Sequence, residues 1–205
     1  MEPIWLKHYP AAVPRDVNVS LYPSLVDLLD TSFKKNADKP VYLMMGKSLS
    51  FAQVDEASRA LAAYLQSLGL EKGDRVAIMM PNLFQYPVAV AAVLRAGFVV
   101  VNVNPLYTPR ELEHQLKDSG AKAIVIIENF ASVLQQVIKN VPTKHVILAA
   151  MQQHRQIGRV RVHAGSLAGV LAQLVADGVL QLQGTEMRVA DGSPLAGEFA
   201  GQRAA

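Results

Sequence analysis

The chain has 205 residues, enough for one domain with a small appendage, and 51% of them are apolar, ample for a core. A net charge of +3 is too small to argue for nucleic acid as a partner. The absence of cysteine excludes a disulfide framework and thiolate metal sites, and it suits a reducing compartment.

The first ten residues include Glu2, Pro3, Lys7 and His8 and have no apolar run of the kind a secretory leader needs. Prolines at 10, 14 and 23 punctuate an irregular stretch. Ser24 is placed to cap a helix over residues 24–35, with Leu25, Leu28 and Leu29 on one face. Residues 41–45 and 48–51 flank Gly46-Lys47 and read as a β-hairpin. A helix over 52–68 carries Val54, Leu61, Ala62, Leu65 and Leu68 at helical spacing, and Gly69 stops it.

Residues 71–129 then alternate strand and helix with few residues to spare. Apolar strands are expected at 75–80, 98–103 and 123–127, with helices at 84–96 and 109–119 between them. Unbroken apolar runs suit strands buried on both faces, and parallel strands need crossover helices. Two consecutive βαβ units with right-handed crossovers follow. A helix over 130–139 and a fourth parallel strand at 145–148 complete the pattern. The longest apolar run, residues 87–103, is interrupted by Arg95 and Asn102, whereas spanning a bilayer needs ~20 mostly apolar residues. A cytoplasmic chain is the expectation.

The same stretch carries a resemblance. Gly73-Asp74-Arg75-Val76-Ala77-Ile78-Met79-Met80-Pro81-Asn82 is similar to a core segment of adenylate-forming enzymes. Asn102-Val103-Asn104-Pro105-Leu106-Tyr107-Thr108-Pro109-Arg110-Glu111-Leu112 resembles the bacterial long-chain fatty-acid–CoA ligases more closely still. Trp5-Leu6-Lys7-His8-Tyr9-Pro10 and Ser24-Leu25-Val26-Asp27-Leu28 fit the opening of that family. The resemblance covers residues 1–148 and implies an α/β fold: a partial parallel sheet with crossover helices, the N-terminal subdomain of an adenylate-forming enzyme. It implies an architectural role for this part, which builds some of one sheet and a wall of the acyl site.

For the family as a whole, the resemblance implies a two-step reaction. A fatty carboxylate attacks the α-phosphate of ATP, giving acyl-adenylate and pyrophosphate, and the coenzyme A thiolate then displaces AMP. ATP, Mg²⁺ and coenzyme A are the implied cofactors of the family, and none is expected for this chain. The chemistry needs a Ser/Thr/Gly-rich loop whose N–H groups and hydroxyls approach the phosphates, and Mg²⁺ to neutralise them. No such loop occurs in the 205 residues, nor does the mobile domain that supplies the family's catalytic lysine. Gly184-Thr185-Glu186 imitates the family's acidic motif, but it lacks the intervening residue, and Leu182 and Gln183 stand where the tyrosine belongs. It reads as a turn.

Other candidate sites have simpler structural readings. Met45-Gly46-Lys47-Ser48 ends like a phosphate-binding loop, but Val41 occupies the position of the required first glycine, so a hairpin turn fits better. Glu111 and His114 share a helix face, and one such pair is not a metal site. Thr108, Pro109 and Glu111 form a capping box that accounts for all three residues. Asn104 to Tyr107, like Pro81-Asn82, follow the carboxyl end of a strand, where ligands of parallel sheets gather; the cap is the preferred reading over direct contact. His8, His145, His154 and His163 have no partners at metal spacing. Tyr64, Phe84, Tyr86 and Phe98 suit core positions. No residue is therefore assigned to catalysis, to cofactor binding or to a metal.

At residue 149 the texture changes, and all ten lysines lie at or before Lys144. Residues 149–205 form an unrelated tail with a helix expected at 166–177, strands at 179–183 and 187–190, and a frayed end. Helix plus hairpin resembles the last part of a winged helix, without the helices that must precede it. Two readings stay open. Either the chain is a truncated or rearranged N-terminal fragment of a ligase, inactive alone, or it is a non-catalytic binding or scaffold protein that joins a ligase-like acyl-site wall to a small module. Possible partners are a fatty acid or acyl chain, the inner face of a membrane at its periphery, and a second copy met through an exposed sheet edge.

Overall fold

A computed structural model describes residues 3–149, 180–183 and 186–189. A 3₁₀ turn at Ile4–His8 opens the chain, with Ile4 and Trp5 exposed. Helix α1 (Leu25–Lys35) starts where Ser24 accepts a hydrogen bond from the Asp27 N–H. Strands β1 (Pro40–Met44) and β2 (Lys47–Ser50) pair antiparallel, with Met44 opposite Lys47. The hairpin turn is therefore Met45-Gly46, one residue earlier than expected. Both residues have positive φ, 49° and 72°, as a type I′ turn requires. Sequence reading assumed glycine first, and here the first left-handed position is held by methionine.

Phe51, expected in the hairpin, instead begins α2 (Phe51–Ser67). Ser50 and Gln53 form a capping box there, which fixes the helix start before Phe51. Strand β3 (Arg75–Met79), α3 (Gln85–Arg95), β4 (Val99–Val103), α4 (Pro109–Ser119) and β5 (Ala123–Ile127) follow within a residue or two of expectation. The helix expected at 130–139 is shorter, α5 (Ala131–Val137), because 3₁₀ turns occupy Glu128–Phe130 and Ile138–Asn140. Strand β6 (His145–Ala149) closes the main sheet.

The sheet is parallel in the order β4-β3-β5-β6. The step from β3 to β4 runs one way across the sheet, and the steps to β5 and β6 run the other way. With right-handed crossovers, reversing direction puts helices on opposite faces. The packing agrees. Val76, Ile78, Val125 and Ile147 bury against α2 and α3, through Leu65, Ala92 and Val93. Met79, Ile124, Ile126 and Leu148 bury against α4 and α5, through Leu112, Leu116 and Leu134. The result is a doubly wound α/β sandwich. Each fully buried Leu, Ile or Val contributes about 1.5–3 kcal/mol.

One strand departs from the expectation that all are covered. β4 lies at the edge, with Val99 exposed and Val100 and Val101 only half-buried. Its valines suit a strand, but its position leaves one side without a strand neighbour among the described residues.

In the tail, β7 (Leu180–Gln183) and β8 (Glu186–Val189) pair antiparallel, with Gln183 opposite Glu186. Glu186 thus begins the second strand rather than sitting in the turn. The helix expected at 166–177 lies outside the described residues.

Candidate functional site

An apolar groove of about 430 Å³ opens where α1, the β1–β2 hairpin and α3 meet. Leu29 and Phe33 of α1, Tyr42 to Met44 of the hairpin and Val90 and Ala91 of α3 line it. Asn82 and Leu83, directly after the carboxyl end of β3, close one end. No charged side chain is among the lining residues. The size is within the range of small-molecule sites, which are mostly apolar with few polar groups. Leu43 is 79% exposed at the rim and Leu28, nearby in sequence to Leu29, is also exposed.

The groove's helical walls come from separate segments, and a buried cation ties all three helices together. Arg95, at the end of α3, has a side chain only 7% exposed. Its guanidinium donates to the carboxylates of Asp30 in α1 and Asp55 in α2. It also donates to the Asp55 carbonyl and to Ser58 Oγ, each at 3.1 Å. Its Cζ lies 5.1 Å from the ring centroid of Phe33, a cation–π contact against a residue of the groove wall. Arg59 adds a second, exposed pair to Asp55 at 3.1 Å. Burial alone would raise the Asp55 carboxyl, but hydrogen bonds and positive charge from Arg59 and Arg95 outweigh it and hold the group below the ordinary carboxylate range. Sequence reading noticed Arg95 only as a charge that interrupts an apolar run. The available signal was an arginine in an apolar helix with two upstream aspartates, at positions 30 and 55, each on a helix of its own.

At the carboxyl edge of the sheet, Tyr86 Oη donates to Asn102 Oδ1 at 3.0 Å, and Gln115 Nε2 donates to the Asn102 carbonyl at 2.8 Å. Asn104 turns the chain by accepting from the Leu106 N–H. Thr108 and Glu111 make the expected reciprocal cap. The two hydrogen bonds from Thr108 hold the Glu111 carboxyl below its ordinary range. His114 is exposed on the same helix. Phe84 and Phe98 are buried, as expected, and Tyr64 and Tyr86 pack half-buried against the core. His154, His163 and the Gly184-Thr185 pair lie outside the described residues. Among the described residues no three His, Asp or Glu side chains converge on a point, and no helix is long and apolar enough to cross a membrane.

A family model described as "AMP-binding enzyme" matches residues 29–180. The chain belongs to the AMP-binding enzyme family. Within it, the chain is 58% identical over 152 residues to a long-chain-fatty-acid–CoA ligase of Escherichia coli O6:H1, a match covering 74% of this chain and 27% of that protein. It is 51% identical over 160 residues to a ligase of the same description from Haemophilus influenzae, covering 78% and 28%. The chain thus spans little more than a quarter of the length of these curated relatives and matches their N-terminal part. Among solved structures, a long-chain-fatty-acid–CoA ligase from Archaeoglobus fulgidus superposes with a TM-score of 0.57 at 26% identity, over 74% of this chain and 30% of that one. A benzoate–CoA ligase from Burkholderia xenovorans superposes with a TM-score of 0.57 at 20% identity, over 86% and 30%, a likeness of fold. The chain thus has the expected α/β architecture of the N-terminal part of adenylate-forming ligases.

Proposed function

We propose that the chain is the opening subdomain of a long-chain fatty-acid–CoA ligase, with a boundary near residue 149, and that the 205-residue polypeptide has no ligase activity of its own. The observation that carries this is the 58% identity confined to 27% of the relative's length. The parent reaction would join a fatty acid to coenzyme A at the expense of ATP, with Mg²⁺ on the phosphates. The 205 residues contain no phosphate loop to hold that nucleotide. The uncharged groove supports a role as one wall of the acyl site, because its lining suits the apolar chain of a fatty acid and includes no charged partner for its carboxylate. A place in the cytoplasm, with peripheral contact at the inner face of a membrane, belongs to the same proposal. So does self-association at the sheet edge.

The test is pyrophosphate release from ATP and a long-chain fatty acid by the purified polypeptide. No release above a no-protein control is expected, and fatty-acid-dependent release would overturn the assignment of inactivity. A parallel titration with a fluorescent long-chain fatty acid separates the two remaining readings. Saturable binding weakened by Leu43→Asp favours a binding protein that retains the acyl wall. No binding favours a ligase portion whose wall works only with the rest of the enzyme.

A further inference from the structure

Arg95 is bonded unequally to the two helices it faces. Toward α2 it donates to the Asp55 carboxylate, to the Asp55 carbonyl and to Ser58 Oγ. Toward α1 it donates to one atom, Asp30 Oδ1. The apolar packing divides the same way. Leu61 and Leu65 of α2 bury with Ala92 and Val93 of α3, and Gln66 Nε2 donates across to the Ala96 carbonyl at 3.4 Å. Among the described residues α1 buries Phe33 alone. If α1 moves away, Arg95 keeps its bonds to Asp55 and Ser58, and Asp30, already 32% exposed, turns to water.

The chain just after α1 is pinned. The Ala52 N–H donates to the Ala37 carbonyl at 3.0 Å and the Phe51 N–H to the Lys39 carbonyl at 3.1 Å, fastening residues 37–39 to the start of α2. Asn36, between helix and pin, leaves the helical region with φ of −120° and ψ of 21°. The groove lies between the two bodies, with Leu29 and Phe33 on α1 and Val54 and Ala91 on α2 and α3.

We propose that α1 is a hinged flap on a fixed α2–α3 base, pivoting at Asn36 and latched by Asp30 to Arg95, and that its release opens the apolar groove. Release also takes Phe33 from its buried place and off the guanidinium, so the closed form is the resting one and the open form a minor population. Arg59, 3.9 Å from Asp30 on a side chain 54% exposed, is a weak second tie. Any apolar occupant would enter this way, so the flap does not rest on the acyl-site reading.

The absence of cysteine makes thiol labelling a clean test. Val54→Cys puts a thiol in the cluster that holds Phe33, at a position 1% exposed, and Ala131→Cys puts one on the opposite face of the sheet, at 4%. Val54→Cys should label at least roughly tenfold faster than Ala131→Cys, with a weaker dependence on urea, because opening a flap exposes less surface than unfolding. Adding Asp30→Asn should speed Val54→Cys roughly fivefold to tenfold, the loss of one partly exposed ion pair. Asp55→Asn should lower the urea midpoint further than Asp30→Asn does, yet leave Val54→Cys labelling in the absence of urea unchanged, since the Asp55 bond persists in both closed and open forms. Ala91→Cys, 2% exposed on α3, should repeat the Val54→Cys result and guards against a misfolded variant. Amide exchange over residues 28–35 should quicken in Asp30→Asn while that of α3 does not. Two thiols that label at one rate with one urea dependence would overturn the proposal, because α1 would then open only with the whole chain. So would Asp55→Asn accelerating Val54→Cys as much as Asp30→Asn. Neither pyrophosphate release nor fatty-acid binding enters these readouts, so either proposal can fail alone.

Discussion

Arg95→Met lowers the unfolding free energy of the chain by about 3 kcal/mol, as read from urea midpoints at neutral pH. Removing one partner from a buried ion pair costs about 3–5 kcal/mol, because the other charge is left buried and unpaired. Asp30 and Asp55 are 32% and 26% exposed, so water can recover part of the loss, and the lower end of that range applies. Methionine keeps the bulk of the arginine stem against Phe33 but none of its hydrogen bonds. Arg59→Met, which removes a 54%-exposed partner of the same aspartate, should cost under about 1 kcal/mol. Equal midpoints for the two variants would mean that Arg95 does not hold the three helices together. The same substitution should loosen the groove, because Phe33, Val54 and Ala91 line it from the helices that Arg95 joins.

The effect has a pH signature. The folded-state pKa of Asp55 is depressed, so its contribution is fully present above the unfolded carboxylate value of about 3.9 and is lost as pH falls through the lower folded value. Asp74, held by Lys122 at 2.8 Å and by the Glu71 N–H, and Glu113, held by Lys117 and Asn140, shift the same way. The wild-type chain should therefore lose stability below about pH 4. The gap between it and Arg95→Met should shrink over that same interval. A gap that stays constant from pH 7 to pH 3 would contradict the assignment of Asp55.

The second large effect is at Gly97. It follows the last residue of α3's cap with φ of 85°, and its N–H donates to the Leu94 carbonyl at 3.1 Å. Its own carbonyl accepts from the Gly73 N–H at 2.9 Å, joining this turn to the one that leads into β3. A Cβ here would sit 3.5 Å from the Lys72 side chain, so space is adequate and the backbone angle is the obstacle. Gly97→Val should cost about 1–3 kcal/mol of strain, since β-branched residues resist positive φ. Gly184→Val, in the tail, should leave the urea midpoint of the main domain unchanged. Equal shifts for both would show that the tail supports the sheet or that the cap tolerates a side chain.

What the sequence revealed, it revealed through local chemistry. Thr108-Pro109-Arg110-Glu111 specifies a helix start within four residues, and α4 begins there without error. The alternation of apolar runs with helical spacing was enough for the strands of the main sheet. The hairpin tip was misplaced because Met45 adopts a conformation that composition assigns to glycine. Phe51 was misplaced because its ring suits a strand, while the deciding hydrogen bonds belong to Ser50 and Gln53. β4 was expected to be covered because a run of valines records hydrophobicity and not position in the sheet. The groove and the Arg95 cluster were missed for a related reason. Their members come from segments dozens of residues apart, and no periodicity links Asp30, Asp55 and Arg95.

The strand order also sets a schedule for folding. β3 is the first strand of the main sheet to be made, yet its two neighbours come later: Val99 opposite Arg75, and Ala123 opposite Val76. During synthesis α2 and α3 can cover one face of β3, but its other face, with Ala77 and Met79, waits until α4 and β5 have been made. Such distant pairings slow folding because loops must close before any contact rewards them. A nascent chain that has reached β4 but not β5 therefore exposes a valine-rich strand with no cover on one face, and the time spent there is the interval in which chaperones have most to hold.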